Sequence, residues 1–154
     1  MNKLLSFSIL LLAMSLVAGC IPDPISSEEQ LVKDIKKIED YLADNNLVAE
    51  STESGLHYII EEEGSGGHPN LNSEVTVNYK GYLLDGSVFD QTNTSPVTFP
   101  LSSLIAGWQE GIPLLQKSGK GKFFLPSGLG YGRQATGSIP ANSVLIFEIE
   151  LVDF

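Results

Sequence analysis

The stretch VTVNYKGYLLDGSVFDQT, residues 75–92, decides the fold. Its first half alternates. Val75, Val77 and Tyr79 fall on one face, Thr76, Asn78 and Lys80 on the other, which is the period of two of a half-buried strand. Asp85-Gly86 then supplies a turn signal of the kind that joins antiparallel strands, and the chain returns through Val88, Phe89 and Asp90. Outward from this hairpin the short-strand pattern recurs. LHYIIEEE (56–63) reads as a strand that ends in charge, PVTFPL (96–101) as a short strand with prolines at its ends, and GKGKFFLP (119–126) as a strand opened by a glycine turn. VLIFEIELVDF (144–154) reads as a final strand in which Ile146, Glu148 and Glu150 oppose Leu145, Phe147, Ile149 and Leu151. GSGGHPN (64–70) is a turn cluster. SLIAGWQEGIPLLQ (103–116) is the one helical stretch of this half, limited by Pro113 to a few turns. SGLGYGRQATGSIPANS (127–143) is a long Gly-rich loop, a feature compact domains keep for function. Many antiparallel strands and one helix define an α+β domain in which the helix covers one sheet face.

Upstream the period changes. Leu31, Ile35, Ile38 and Leu42 lie at i, i+4, i+7 and i+11, a helical stripe running from about Glu28 to Asn45. Ser26 with Glu29, or Ser27 with Gln30, has the spacing of a capping box. Lys33, Asp34, Lys36, Lys37, Glu39 and Asp40 make the flanking faces charged. The stripe is too short for a coiled coil, which needs three or four heptads, so packing or spacing is favoured over dimerisation. NNLVAESTESG (45–55) reads as a polar connector. The expected division is therefore a leader over 1–19, a tether over 20–27, helix and connector over 28–55, and a domain over 56–154.

The leader reading rests on Lys3, an apolar run of 16 residues and small residues before Cys20, the pattern of a secretory signal. The ending LVAGC resembles a bacterial lipobox. That resemblance implies cleavage before Cys20, its lipidation with palmitate-type chains, and a membrane anchor. Several acyl chains hold a protein stably where one does not. Ile21 after the cysteine, rather than Asp, resembles signals that allow sorting to the outer membrane, so the expected location is the cell envelope, facing the periplasm or exterior. An ordinary signal peptide with an incidental cysteine is the plainer alternative. Cys20 is the chain's single cysteine, so no disulfide is expected. The formal net charge is −10, with 19 acidic residues against 9 basic, which argues against nucleic acid as a partner.

Machinery for hydrolysis or redox chemistry is not visible. GSGGH has neither the lysine nor the helix of a phosphate loop. His57 and His68 are eleven apart without ligand partners, so no metal is expected. No serine sits in a G-x-S-x-G elbow. What remains is a set of aromatic and aliphatic side chains with one carboxylate: Phe89, Asp90, Phe99, Trp108, Tyr131, Ile139 and Phe147. From composition alone this is ordinary core. The blocks VTVNYKGYLLDGSVFDQT, PVTFPL, LIAGWQEGIPLL, GKGKFFLPSGLGYG and SIPANSVLIFEIELVDF, taken in order over about residues 54–154, give it another meaning. Together they resemble the FKBP-type peptidyl-prolyl cis-trans isomerases.

The resemblance implies a twisted antiparallel sheet wrapped over one short helix, here preceded by an N-terminal helix. It also implies a pocket with Phe89, Asp90, Trp108 and Tyr131 as catalytic positions, and Tyr79, Phe99, Leu104, Ile105, Ile139 and Phe147 as substrate-binding positions. The implied partners are proline-containing polypeptides and macrolide inhibitors of the rapamycin type; no cofactor is implied. Val97 stands where some members carry an aromatic, and the loop 133–138 looks short. Such a pocket needs no acid, base or nucleophile. The barrier to amide rotation is lost resonance, roughly 18–20 kcal/mol, and X–Pro isomers exchange over tens to hundreds of seconds unaided. Two roles stay open for Asp90: meeting the rotating carbonyl, or shaping the pocket through neighbouring hydroxyls. A chaperone or proline-segment binding module with incidental turnover is the alternative function, and a structural lipoprotein is a second.

Overall fold

The computed structural model describes residues 26–154. The expectations about the leader, Cys20 and most of the tether lie outside the described residues. The chain opens with helix α1, Ser27–Asp44. Of the two capping boxes the sequence allows, the Ser26–Glu29 pair forms: the Glu29 amide donates to Ser26 Oγ at 3.1 Å, and the Ser26 amide donates to Glu29 Oε2 at 3.1 Å. Two orphan amides of the first turn are thereby satisfied.

Seven strands follow: β1 Glu50–Ser51, β2 His57–Glu62, β3 Glu74–Tyr82, β4 Val88–Gln91, β5 Val97–Pro100, β6 Lys120–Leu125 and β7 Leu145–Asp153. They form one antiparallel sheet in the order β1-β2-β6-β7-β3-β4, with β5 also on β3. The expected fold is present. Within the polar connector, Glu50–Ser51 pairs with His57–Tyr58 and extends the sheet by one short edge strand. Short edge strands limit the unpaired backbone a sheet presents to other chains. Strand β3 carries two partners on one side: Glu74–Val77 pair with β5, and Lys80–Tyr82 pair with β4 across a register shift at Gly81/Tyr82. This division bends β4 and β5 apart and leaves room between them.

The second helix, α2, is short, Ala106–Gly111, and runs into a 3-10 turn at Ile112–Leu114 that holds Pro113. It lies tight against β6. A Cβ on Gly107 would collide with the Leu125 side chain, so glycine at 107 sets the closeness of helix to sheet.

Each sheet face has its own core. Leu145, Phe147, Ile149 and Leu151 of β7 join Trp108, Ile112, Val75, Val77 and Phe123 on the α2 face. Ile146 of β7 joins Tyr82, Phe124, Ile38 and Leu42 on the opposite face. Helix α1 therefore lies on the sheet as a second cover, which agrees with packing rather than dimerisation for its apolar stripe. One residue of its charged faces is misplaced by the sequence reading. Asp34 is fully buried, while Lys33 and Lys36 are exposed. Its partner, Ser127, lies 93 residues away in the chain, so no local pattern reveals the burial.

Candidate active site

The space between β4, β5 and α2 is a cavity of about 190 Å³. Strand β3 contributes Tyr79, β4 contributes Phe89 and Asp90, β5 contributes Phe99, and β7 contributes Phe147. Leu104 and Ile105 enter from the segment before α2, Trp108 from its first turn, and Tyr131 from the loop after β6. All but one of the expected site residues meet here. Ile139 is the exception in the cavity lining: it is 6 % exposed and packs in the α2-side core.

Trp108 is the hub. Its ring meets Tyr79, Phe147 and Phe99 at centroid distances of 5.0, 5.3 and 6.4 Å, with interplanar angles of 81°, 87° and 79°. Phe89 meets Phe147 at 5.5 Å and 83°. Edge-to-face rings are mutually favourable by about 0.5–1.5 kcal/mol a pair. Trp108 Nε1 is buried without a hydrogen-bond partner. Gly81 makes the wall possible. A Cβ there would lie 2.6 Å from Phe89 and 2.8 Å from Phe147, so any side chain would push both rings into the cavity.

The polar groups sit at the mouth. Tyr79 Oη donates to Asp90 Oδ2 at 2.7 Å, and the Gln91 amide donates to Asp90 Oδ1 at 2.9 Å. Both carboxylate oxygens therefore have partners within the protein, one of them the Tyr79 hydroxyl. Burial, followed by the bond to Asp90, pushes the Tyr79 hydroxyl well above its ordinary value near 10, so it stays a donor at physiological pH. Tyr131, 39 % exposed, also lines the cavity.

Two supporting residues escaped the sequence reading. Thr92 brackets the Tyr79 backbone: its Oγ1 accepts from the Tyr79 amide at 3.0 Å, and its own amide donates to the Tyr79 carbonyl at 3.0 Å. Gln109 Nε2 donates to the Leu104 carbonyl at 2.7 Å and ties the Leu104–Ile105 segment to α2. Thr92 closes the quoted VFDQT block, which is the one local signal for it; Gln109 has none. The histidines have structural partners. His57 Nδ1 lies 3.0 Å from the Gly55 carbonyl, and His68 Nδ1 lies 3.0 and 3.1 Å from those of Pro113 and Leu115.

An aromatic cleft between a twisted antiparallel sheet and a short helix, closed by a tyrosine–aspartate pair, defines the class. Residues 66–152 match the family of FKBP-type peptidyl-prolyl cis-trans isomerases, and the chain belongs to that family. It is 46% identical over 130 residues to the FKBP-type peptidyl-prolyl cis-trans isomerase FkpA of Aeromonas hydrophila, covering 82% of this chain and 48% of the relative. It is 42% identical over 105 residues to FkpA of Escherichia coli K12, covering 67% and 39%. The chain thus spans about half the length, or less, of these curated relatives. The crystal structure of FkpA from Escherichia coli superposes with a TM-score of 0.71 at 36% identity, covering 82% of this chain and 63% of that one. A peptidyl-prolyl cis-trans isomerase of Pseudomonas syringae pv. tomato gives 0.71 at 29% identity, covering 86% and 98%.

Proposed function

We propose that the protein accelerates cis-trans isomerisation of X–Pro bonds in polypeptides folding outside the cytoplasm, and that it does so from a lipid anchor at Cys20. The observation that carries the catalytic reading is the convergence of Trp108, Phe99, Phe147 and Phe89 on one cavity whose polar groups, Tyr131 and the Tyr79–Asp90 pair, stand at its mouth.

The prolyl ring enters over Trp108, between Phe99 and Phe147. The planar amide is more polarised than the twisted one, so an apolar surround disfavours the ground state relative to the transition state. Tyr131 Oη holds a substrate carbonyl and fixes one side of the rotating bond. The buried Trp108 N–H is a further donor that a bound carbonyl satisfies; leaving it unpaired costs about 1–3 kcal/mol. An acceleration of ~10⁴–10⁵ requires about 5.5–7 kcal/mol off the barrier, which positioning and preorganised environment supply without covalent chemistry. Macrolides of the rapamycin type compete for the same cavity.

The test is the cis-to-trans relaxation of a short X–Pro peptide with protein carrying residues 21–154, a span that retains every described residue. A large acceleration, reduced in Asp90→Ala and Tyr131→Phe, is expected. A folded protein with no acceleration would leave a pocket that only binds. For the anchor, radiolabelled palmitate should enter the full-length protein and be lost in Cys20→Ser; incorporation that survives the substitution sinks that part.

A further inference from the structure

We propose that Asp34, on the N-terminal helix, is a positioning residue for Tyr131, acting through Ser127. The kinetic part of this inference rests on the isomerase reading above; its structural part does not.

Asp34 is a fully buried carboxylate, and a buried charge persists only where it is paired and hydrogen-bonded. Each oxygen has its own partners. Oδ1 accepts from Gln30 Nε2 at 2.8 Å and from Lys37 Nζ at 3.1 Å, both on α1. Oδ2 accepts from the Ser127 amide at 2.9 Å and from Ser127 Oγ at 2.5 Å. The first pair of bonds aims the carboxylate; the second captures another part of the chain. Ser127, itself 1 % exposed, opens the 3-10 turn Ser127–Leu129 that leads to Tyr131.

Ser127 is the node because its carbonyl faces the other way. It accepts from the Gly130 amide at 3.0 Å and from the Gly132 amide at 2.8 Å. These are the residues on either side of Tyr131. One serine is thus held at its amide and hydroxyl by α1, and holds both flanks of the site tyrosine by its carbonyl. Asp34 lies outside residues 66–152, the span that matches the family, so the Asp34 carboxylate links the helix in front of the domain to the loop that carries Tyr131. Bonds to a charged acceptor are short and strong, which suits a clamp on a Gly-rich loop.

Asp34→Asn keeps the volume and removes the charge; Asp34→Ala removes the clamp; Ser127→Ala removes one leg of it. Leu42→Ala loosens the same helix two turns away and touches no part of the clamp. Two measurements on protein carrying residues 21–154 decide the matter. The first is amide hydrogen exchange at Gly130 and Gly132, read by NMR. It should quicken about tenfold or more in Asp34→Asn and stay unchanged in Leu42→Ala, since local opening and global stability are separable. The second is a double-mutant cycle on kcat/KM, at a temperature where all variants are folded. Asp34→Asn should cost about tenfold, below the 10²-fold that an ångström of misplacement can cost. That loss should largely vanish in the Tyr131→Phe background, because residues acting as one unit are not additive. Should Asp34→Asn fail to fold, Ser127→Ala takes its place in both measurements with smaller shifts in the same direction. Unchanged exchange at Gly130 and Gly132 in a folded variant overturns the proposal, and so do losses that multiply independently in the cycle. If the wild type shows no acceleration at all, the isomerase reading falls and the exchange result alone decides the clamp.

Discussion

Strand β3 carries two tyrosine–carboxylate pairs three residues apart, on opposite faces of the sheet. On the α2 face, Tyr79 donates to Asp90 at 2.7 Å beside an open cavity. On the α1 face, Tyr82 donates to Glu148 at 2.9 Å, and Glu148 is also paired with Lys122 at 3.1 Å. Burial raises both tyrosines, and the carboxylates add to it. Burial also pushes Glu148 up, but the bonds from Tyr82 and Lys122 outweigh it and hold the carboxyl below its ordinary value. The surroundings then diverge. Ile38, Phe124 and Ile146 are fully buried beneath α1 and close that face. On the other face, rings crossed at nearly 90° line the cavity. One sheet thus has a sealed side and a hollow side that carries the candidate site, and the same chemical pair serves as a lock in one and as a rim in the other.

The widest separation of the two sides comes from their large residues. Trp108→Ala should cost about 3–5 kcal/mol of stability and also remove most of the isomerase acceleration, since three rings lean on that indole. Leu42→Ala, on the sealed side and 7 % exposed, should cost about 2 kcal/mol in a urea titration and leave kcat/KM unaltered at temperatures where the protein is folded. A Leu42→Ala protein that is folded and slow would break the division of labour between the faces.

The lock has a pH signature. Tyr82 is raised in the folded state, so that state keeps a proton the unfolded chain loses near pH 10. Its contribution is whole below that pH and declines as pH rises further. Tyr82→Phe should cost about 1–2 kcal/mol at pH 7 and flatten the fall of the denaturation midpoint above pH 10. A midpoint that falls as steeply in the variant would show that Tyr82 is ionised at no extra cost in the fold, contrary to its burial against Glu148.

Much of the hollow side was legible because its signals are local. Alternation gave β3, Asp85-Gly86 gave its return, Pro113 shortened α2, and the family resemblance carried by the ordered blocks implied one pocket for Tyr79, Phe89, Asp90, Phe99, Trp108 and Tyr131. Less of the sealed side was. Asp34 stands among charged neighbours in the sequence, and the partner that ties it to the rest of the domain, Ser127, lies 93 residues on. The two-residue β1 exists because β2 lies beside it, and two residues are too few to carry a period. Ile139 follows the family pattern in sequence, yet its short Thr136–Ile139 bridge turns it into the core. Pairing and bonding between segments decide these positions, and periodicity carries no record of them.

The smallest effect is expected at Val97, beside the cavity on β5. It pairs with Val77 on β3, two residues before Phe99, which pairs with Val75; alternation puts it on the same face as Phe99, one pleat further out. It is 40 % exposed, so a phenyl ring fits there without displacing core, and Phe suits a strand as well as Val does. Val97→Phe should therefore leave stability unchanged. It should lengthen the apolar wall by ~40 Å², which at about 25 cal/mol/Å² is ~1 kcal/mol, or roughly fivefold in the Kd of a proline peptide with an apolar residue beside the prolyl ring. Titration calorimetry of both proteins with that peptide measures it. Tighter binding would extend the working face to the outer edge of β5. Equal binding would mean that the bound chain leaves the cavity on the Tyr131 side, where the loop held by Ser127 becomes the surface that reads the substrate.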